Sequence, residues 1–286
     1  MIFFISEGRF GNQIFQYMFL KSIQEKDEKI VIFGFDELKQ VFDVDDIIHI
    51  KSKNRYIRYL VYKVLKPMIN FLADKKLITS IAVNHEIVFD KYQRETTTYK
   101  VQEGFFKKIK FLKLGFFQSE KFFNKKLAEK LVIKQGFLDS ASKLLNLYKD
   151  RYKVFVHIRR GDYKEYKVYG KDTLLPMDYF HKRIKWFLKN RNDVVFIFLS
   201  DEPEFIEDEF SYLEDKIISK NRYEVDFVIM TLCNGAILSP SSFSWWGSYL
   251  MRDRDIVFTP KYWLGFNSKI EYHMSATADF MTEVEV

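Results

Sequence analysis

Cysteine occurs once in this chain of 286 residues, as Cys233. A single thiol excludes an internal disulfide framework and a multi-cysteine zinc site. It lies in the apolar run VIMTLCNGAIL, where an inert buried thiol is the expectation. Proline (5) and glycine (11) are scarce while 47% of the residues are hydrophobic, which argues against long disordered regions. No apolar run approaches the roughly 18 residues of a membrane span. The opening MIFFIS is too short for the apolar part of a secretion signal. Together these absences lead us to expect a cytoplasmic protein, at most peripheral at the inner membrane. Signatures for a metal are thin as well. The acidic pairs in DVD (43–45) and DRD (253–255) follow no clearly buried strand, and His49, His85, His181 and His273 are isolated. No metal site is expected.

Aromatic residues, in contrast, make up 18% of the chain, with 30 Phe and 17 Tyr, enough for a substantial core. Lys and Arg (46) exceed Asp and Glu (39), a formal net charge of +7. That excess suits an anionic ligand, a nucleic acid or an anionic membrane surface, without choosing among them. The stretch 51–66, KSKNRYIRYLVYKVLK, carries six basic residues and no acidic one. Ile57, Leu60, Val61 and Val64 share one helical face. Two readings stand: an interfacial basic amphipathic helix in contact with an anionic membrane, or a surface helix whose Tyr and Lys stems cover the core.

Apolar strands alternate with helical periodicity along most of the chain. Residues 2–5 read as a buried strand, Gly8 and Gly11 as a turn, 12–24 as a mostly buried helix, and 30–35 as the next strand. Strand, glycine turn, helix and strand begin a βαβ unit, which implies a parallel sheet. The Lys- and Phe-rich middle, about 100–150, reads as helical. After it, strands are expected at 153–158, 194–199, 236–239 and 255–259. Helices are expected at 177–189, from about 203, at 225–234 and from about 243. The expectation is therefore an α/β protein of two domains, 1–150 and 151–286, the second doubly wound.

Three strands of the second half end in polar clusters. They are His157, Arg159, Arg160 and Asp162; then Ser200, Asp201 and Glu202; then Ser239 to Ser244. Ligands of open parallel sheets bind outside the carboxyl ends of the strands, and all three clusters fall there. Serines opening a helix suit phosphate, or simply cap the helix. Adjacent arginines repel each other, so Arg159-Arg160 needs either a dense anion, for which the planar guanidinium is well matched, or structural salt bridges. Asp201 could cap the following helix or accept two N–H donors from a guanine. Gly8-x-x-Gly11 lacks the third glycine of a dinucleotide fingerprint. It also occurs in single-strand nucleic-acid binders, so a basic nucleic-acid-binding protein is the alternative of a different class.

In order and spacing, five segments resemble the bacterial α-1,2-fucosyltransferases of glycosyltransferase family 11: GRFGNQIFQY (8–17), GFFQSEKFF (115–123), HIRRGDY (157–163), FLSDEPEF (198–205) and SSFSWWGSYL (241–250). The resemblance spans nearly the whole chain. It implies a GT-B fold of two Rossmann-like domains facing across a cleft. It implies GDP-L-fucose as donor, no divalent metal and no other cofactor, and transfer with inversion to a hydroxyl of a glycan acceptor, galactose by family habit. Lipid-linked oligosaccharides are among the acceptors considered, and nucleic acid is not a partner. By motif position, Arg159 would hold the β-phosphate with Arg160 in support. His157 and Asp201 would contact the guanine side, Ser241, Ser242 and Phe243 would wrap the diphosphate, and Gly11 and Asn12 would approach the donor. Asp162 and Glu7 are candidate bases. Glu7 stands where the family usually has glycine, Pro240 where it has asparagine, and Glu202 replaces the second aspartate of its S-D-D segment. A transferase using another GDP-6-deoxyhexose, or forming another linkage, is the near alternative.

Overall fold

Alternating strands and helices give two six-stranded sheets in the computed structural model, which describes residues 1–51, 54–89 and 92–286. The chain divides into two units, residues 1–132 with 273–275, and residues 133–272 with 276–286. The division falls ahead of the expected boundary at 150, because the helix preceding the second sheet packs on that sheet's own helices. The class is the expected α/β, GT-B-type, with two Rossmann-like units.

In the first unit, β1 (Ile2–Ile5) leads into α1 (Phe10–Ile23), then β2 (Ile30–Phe33), α2 (Asp36–Val41) and β3 (Ile48–Ile50). α1 is buried over most of its surface, from Phe10 and Gly11 through Leu20, as expected for a helix that is apolar all round. The chain continues through α3 (Arg55–Leu60), a π-helical turn (Val61–Leu65) and α4 (Lys66–Asp74). Pro67 sits in the first turn of α4, where its missing N–H is no loss. Then come β4 (Ile78–Phe89), β5 (Tyr92–Gln102), β6 (Phe106–Leu112) and α5 (Lys125–Ala128). The sheet order is β3-β2-β1-β6-β4-β5, parallel except for the β4–β5 hairpin.

One expectation fails here, and one reading holds in part. The middle of the chain is not helical throughout, since β5 reaches Gln102 and β6 covers Phe106–Leu112. There Val101, Phe106, Ile109 and Phe111 carry β-branched and aromatic side chains that fit a pleated surface better than a helix. Within the basic stretch, Val61 is buried, whereas Ile57, Leu60 and Val64 are exposed. The segment covers the core through Val61, with Tyr62 and Leu65 packed beside it against Ile5 and Phe33, and not through the other three. Ser52 and Lys53, also part of the stretch, lie outside the described residues.

The second unit opens with α6 (Gln135–Leu145) and β7 (Tyr152–Ile158), followed by the short hairpin β8 (Lys167–Val168) and β9 (Lys171–Asp172). α7 (Met177–Asn190), β10 (Val194–Ser200), α8 (Pro203–Glu209), β11 (Lys216–Ile218) and α9 (Tyr223–Thr231) follow, and α6 packs on α9. β12 (Gly235–Leu238), α10 (Ser242–Tyr249), β13 (Ile256–Pro260) and β14 (Thr282–Val284) complete it. Every pair in the order β11-β10-β7-β12-β13-β14 is parallel. The first strand in sequence, β7, is therefore central, and strand order reverses beside it, at the gap between β7 and β12. Val154, Phe155 and Val156 are wholly buried, the continuous apolar run expected of a strand covered on both faces. α7 turns Phe180, Ile184 and Phe187 inward at helical spacing. Cys233 is buried and burial pushes its thiol far up, which makes it the inert thiol expected.

Candidate active site

Register puts the three strand ends of the second unit on one level. His157 pairs with Leu199 of β10 and Leu238 of β12. The next residues, Arg159, Ser200-Asp201 and Ser239, therefore emerge together at the carboxyl edge, where the strand order reverses. This is where open α/β sheets bind ligands.

Each arginine of the pair has its own acids. Arg159 Nε donates to Asp162 Oδ1 at 2.8 Å, and its Nη1 lies 3.1 Å from Asp201 Oδ2. Arg160 donates its backbone N–H to Asp201 Oδ1 at 3.0 Å and its Nε to Glu202 Oε2 at 3.0 Å. Its guanidinium lies 3.6 Å over the Phe205 ring, and Lys164 also pairs with Glu202. The structural salt bridges envisaged from the sequence are thus present. They do not use up the donors, because Arg159 Nη2 has no partner among the described residues. Two carboxylates fix the plane of the fork and leave one edge open. Burial alone would lower the Arg159 pKa, but the Asp162 hydrogen bond and the charges of Asp201 and Asp162 outweigh it and raise it. Gly161 is required sterically, since a Cβ there would sit 2.6 Å from Asp201 Oδ2.

The third strand end closes this arrangement. Ser239 Oγ accepts the Arg159 backbone N–H at 3.0 Å. Ser241 caps α10 by accepting the Phe243 N–H at 3.3 Å, and Ser244 Oγ donates back to the Ser239 and Ser241 carbonyls. Tyr163 anchors the loop after β7 by donating to the Pro240 carbonyl at 2.7 Å. The start of α10, with Ser242 and Phe243 part-exposed, therefore lies beside the arginine pair. A helix N-terminus next to a guanidinium fork offers the N–H donors and positive charge that suit an anion.

His157 is buried, and its ring packs 5.8 Å from that of Phe243. Burial, and secondarily the Arg159 charge, lower its pKa to about 3. Its Nδ1 is buried and has no hydrogen-bond partner among the described residues, an arrangement a ligand hydroxyl or N–H would satisfy.

The first-unit candidates occupy the corresponding edge of their own sheet. Gly8 adopts φ +92°, and a Cβ would meet Asn12 Nδ2 at 2.6 Å. Gly11 is buried in the first turn of α1. Asn12 Oδ1 accepts Gln118 Nε2 at 2.7 Å, so the segments 8–17 and 115–123 meet there. Gln16 ties them further, donating to the carbonyls of Glu7 (3.0 Å) and Gly115 (3.1 Å) while accepting from Ser6 Oγ. Glu7 Oε1 pairs with Lys66 Nζ at 2.7 Å.

Several groups had been passed over. Glu95 receives the backbone N–H groups of Phe116 and Phe117, both at 2.9 Å, and so shapes the 115–118 loop from β5. No local pattern identified it, because its partners are some twenty residues away. Asp226 stands in the first turn of α9, beyond the carboxyl end of β11. Burial pushes its carboxyl up to about 6, despite the Ser219 hydrogen bond that opposes the shift. Ser239, named in the third strand-end cluster without a role of its own, is the acceptor of the Arg159 N–H.

The His157 shift has a consequence for stability. A histidine held neutral in the fold but free to protonate when unfolded, near 6.5, makes the unfolded state the better proton binder. Stability is therefore lost as pH falls from about 6.5 towards 3, by about 1.4 kcal/mol per pH unit for this one group. His157→Gln is expected to lose less of its melting temperature between pH 7 and pH 5 than the wild type. Equal losses in the two proteins would remove the buried neutral imidazole from the account.

Comparison with known proteins accords with this geometry. The family model of glycosyl transferase family 11 matches residues 1–272. The O-antigen biosynthesis glycosyltransferase WbnK of Escherichia coli is 32% identical over 130 residues, 42% of this chain and 42% of its own length. An alpha-1,2-colitosyltransferase of the same organism is 31% identical over 186 residues, 60% of this chain and 62% of that protein. These matches span less than two thirds of either relative. Among solved structures, POFUT1 in complex with GDP-fucose superposes with a TM-score of 0.53 at 13% identity, covering 88% of this chain and 94% of the other, a likeness of fold. The match to the family model across residues 1–272, with all five motifs inside it, establishes that the chain belongs to glycosyl transferase family 11.

Proposed function

We propose that the protein transfers L-fucose from GDP-β-L-fucose to a glycan hydroxyl, forming α-1,2-fucosyl-galactose with inversion at the anomeric carbon. The observation that carries this reading is the Arg159 fork, oriented by Asp162 and Asp201 with its Nη2 edge open beside the start of α10. Breaking the anomeric C–O bond builds negative charge on the departing diphosphate. A fixed guanidinium and the N–H groups of a helix start stabilise that charge where it develops, the role a divalent ion has in other transferases. Arg160 is turned towards Glu202 and Phe205 and serves as support. Ser241, Ser242 and Phe243 enclose the diphosphate, and His157 offers its buried Nδ1 to the nucleotide.

The attacking hydroxyl must lose a proton, and Asp162 and Glu7 remain the candidate bases. Asp162 has a second duty in orienting Arg159, so Asp162→Asn disturbs donor binding as well as turnover, whereas Glu7→Gln leaves GDP binding intact. The names of the relatives support an α-1,2 linkage and an acceptor that belongs to O-antigen biosynthesis. The colitosyltransferase also favours the second reading, a donor sugar other than fucose.

Incubation with GDP-fucose and a panel of β-galactosides, in excess EDTA, is expected to give a fucosylated product identifiable by mass spectrometry and NMR. No product from any acceptor would overturn the fucosyl assignment. Loss of product in EDTA that Mn²⁺ or Mg²⁺ restores would overturn the metal-free mechanism.

Arg159→Ala is expected to lower kcat by about 10²–10³ while the fold persists. Arg159→Lys should rescue poorly, because an ammonium lacks the planar fork, and Arg160→Lys should be milder. A purely structural pair predicts the reverse, a lower melting temperature with near-normal turnover in the folded fraction.

GDP is expected to raise the melting temperature more than UDP. Both Asp201 oxygens are engaged by the arginine pair, so Asp201→Ala should shrink the two shifts alike. If Asp201→Ala instead narrows the difference, Asp201 reads the base.

A further inference from the structure

The segment from Arg55 to Lys76 presents two apolar faces. Val61, Ile69 and Ala73 are buried against the first sheet, in contact with side chains such as Phe33, Ile78 and Phe111. Leu60 (57% exposed), Val64 (51%), Met68 (50%) and Phe71 (58%) form a second stripe that the fold leaves in solvent. Their spacing of four, four and three residues keeps them on one side of a helix. A monomer surface rarely holds such a stripe without a use for it. The stripe continues past the end of α4, because the backbone N–H groups of Phe105 and Phe106 bond to the carbonyls of Lys76 and Leu77, both at 2.8 Å. Phe105 and Phe106 are themselves exposed.

The charges beside this stripe are of one sign. Arg55, Arg58, Lys63, Lys75 and Lys76 make no ion pair among the described residues. No acidic residue occurs from Lys51 to Ala73. The nearest acids are already engaged, Asp74 by Lys113 at 3.1 Å and Glu7 by Lys66 at 2.7 Å. Tyr56 and Tyr59 are exposed on the same segment, amphipathic rings of the kind that settle at a lipid headgroup level. Exposed aliphatic and aromatic side chains, flanked by unpaired cations and tyrosines, match an interface with an acyl interior and an anionic rim.

We infer that the α3–α4 segment, with the β5–β6 turn, is a docking surface for an anionic phospholipid membrane. The inference goes beyond the proposed transfer reaction and is independent of the donor. Docking needs both contributions: the cations draw the surface to the headgroups, and the apolar stripe then enters the boundary of the acyl chains.

The test is co-sedimentation of the full chain with vesicles of phosphatidylcholine alone or with phosphatidylglycerol added, at low and raised salt. The expected result is binding to the anionic vesicles, falling with salt, and little recovery with the neutral ones. Arg58→Gln with Lys63→Gln is expected to weaken the partition about fivefold per charge removed. Met68→Ser with Phe71→Ser should weaken it at low salt too, where charge attraction is strongest. All four residues are exposed, so unchanged melting temperatures are expected, as is unchanged transfer to a soluble acceptor. Equal recovery with the two vesicle types, or none with either, would overturn the inference whatever the fate of the variants. So would a concentration-dependent dimer that Phe71→Ser abolishes without change in vesicle binding, which would assign the stripe to a second copy of the chain.

Discussion

The Asp201 carboxylate is the constraint on which the second unit's edge depends. One oxygen accepts the Arg160 backbone N–H and the other faces Arg159 Nη1. A single acid from β10 thereby fixes both the path of the chain after β7 and the orientation of a side chain on it. Gly161 follows from that choice, because no side chain fits beneath the same carboxylate. Ser239 follows too, since the Arg159 N–H, leaving the sheet, still needs an acceptor and finds it on β12. Adjacent arginines are tolerable here because the acids are divided between them: Asp162 and Asp201 for one, Glu202 for the other. Such pairs contribute little stability by themselves when exposed. Their value lies in direction, for a fork held by two acceptors has a defined open edge before any ligand arrives.

A parallel wiring organises the first unit with neutral groups. Gln16 joins the carbonyls of Glu7 and Gly115, Gln13 receives the Leu38 N–H at 3.0 Å, and Asn12 meets Gln118. Glu95 holds the same 115–118 loop from beneath through two backbone N–H groups. A glutamine is suited to this work because its amide donates and accepts at once. A buried loop needs both kinds of partner to leave no backbone group unsatisfied.

Much of this was legible from the chain. The strands of the second unit are unbroken apolar runs, and their polar endings could be placed on one edge from alternation alone. What could not be read was the partner of each atom. The acids that orient Arg159 and Arg160 include Asp201 and Glu202, some forty residues downstream, and Ser239 is about eighty away. Nothing local distinguishes an aspartate that reads a base from one that braces an arginine. β6 is hidden for a different reason: Lys and Phe density over 100–150 suggests a helix, while Ile109 and the aromatic positions that fit a pleat carry the better signal. In 51–66 the apolar spacing was seen, but a helix with two apolar stripes does not announce which one docks. The stripe through Val61 did, and the residues expected beside it were left outside.

A shared motif can therefore mix two kinds of residue that sequence comparison weights equally. In the segment 157–163, His157, Arg159 and, at its Oδ2, Asp162 have polar atoms left uncommitted among the described residues, whereas Gly161 and Tyr163 are committed to holding the loop. In 8–17, Gln13 and Gln16 are likewise committed, and neither keeps an amide oxygen for a ligand. An inventory of satisfied and unsatisfied donors separates the groups that can meet a substrate from those that keep them in place. By that criterion, the uncommitted polar atoms at this edge of the second unit include Arg159 Nη2 and His157 Nδ1. The committed residues around them are the framework that makes those few atoms face one way.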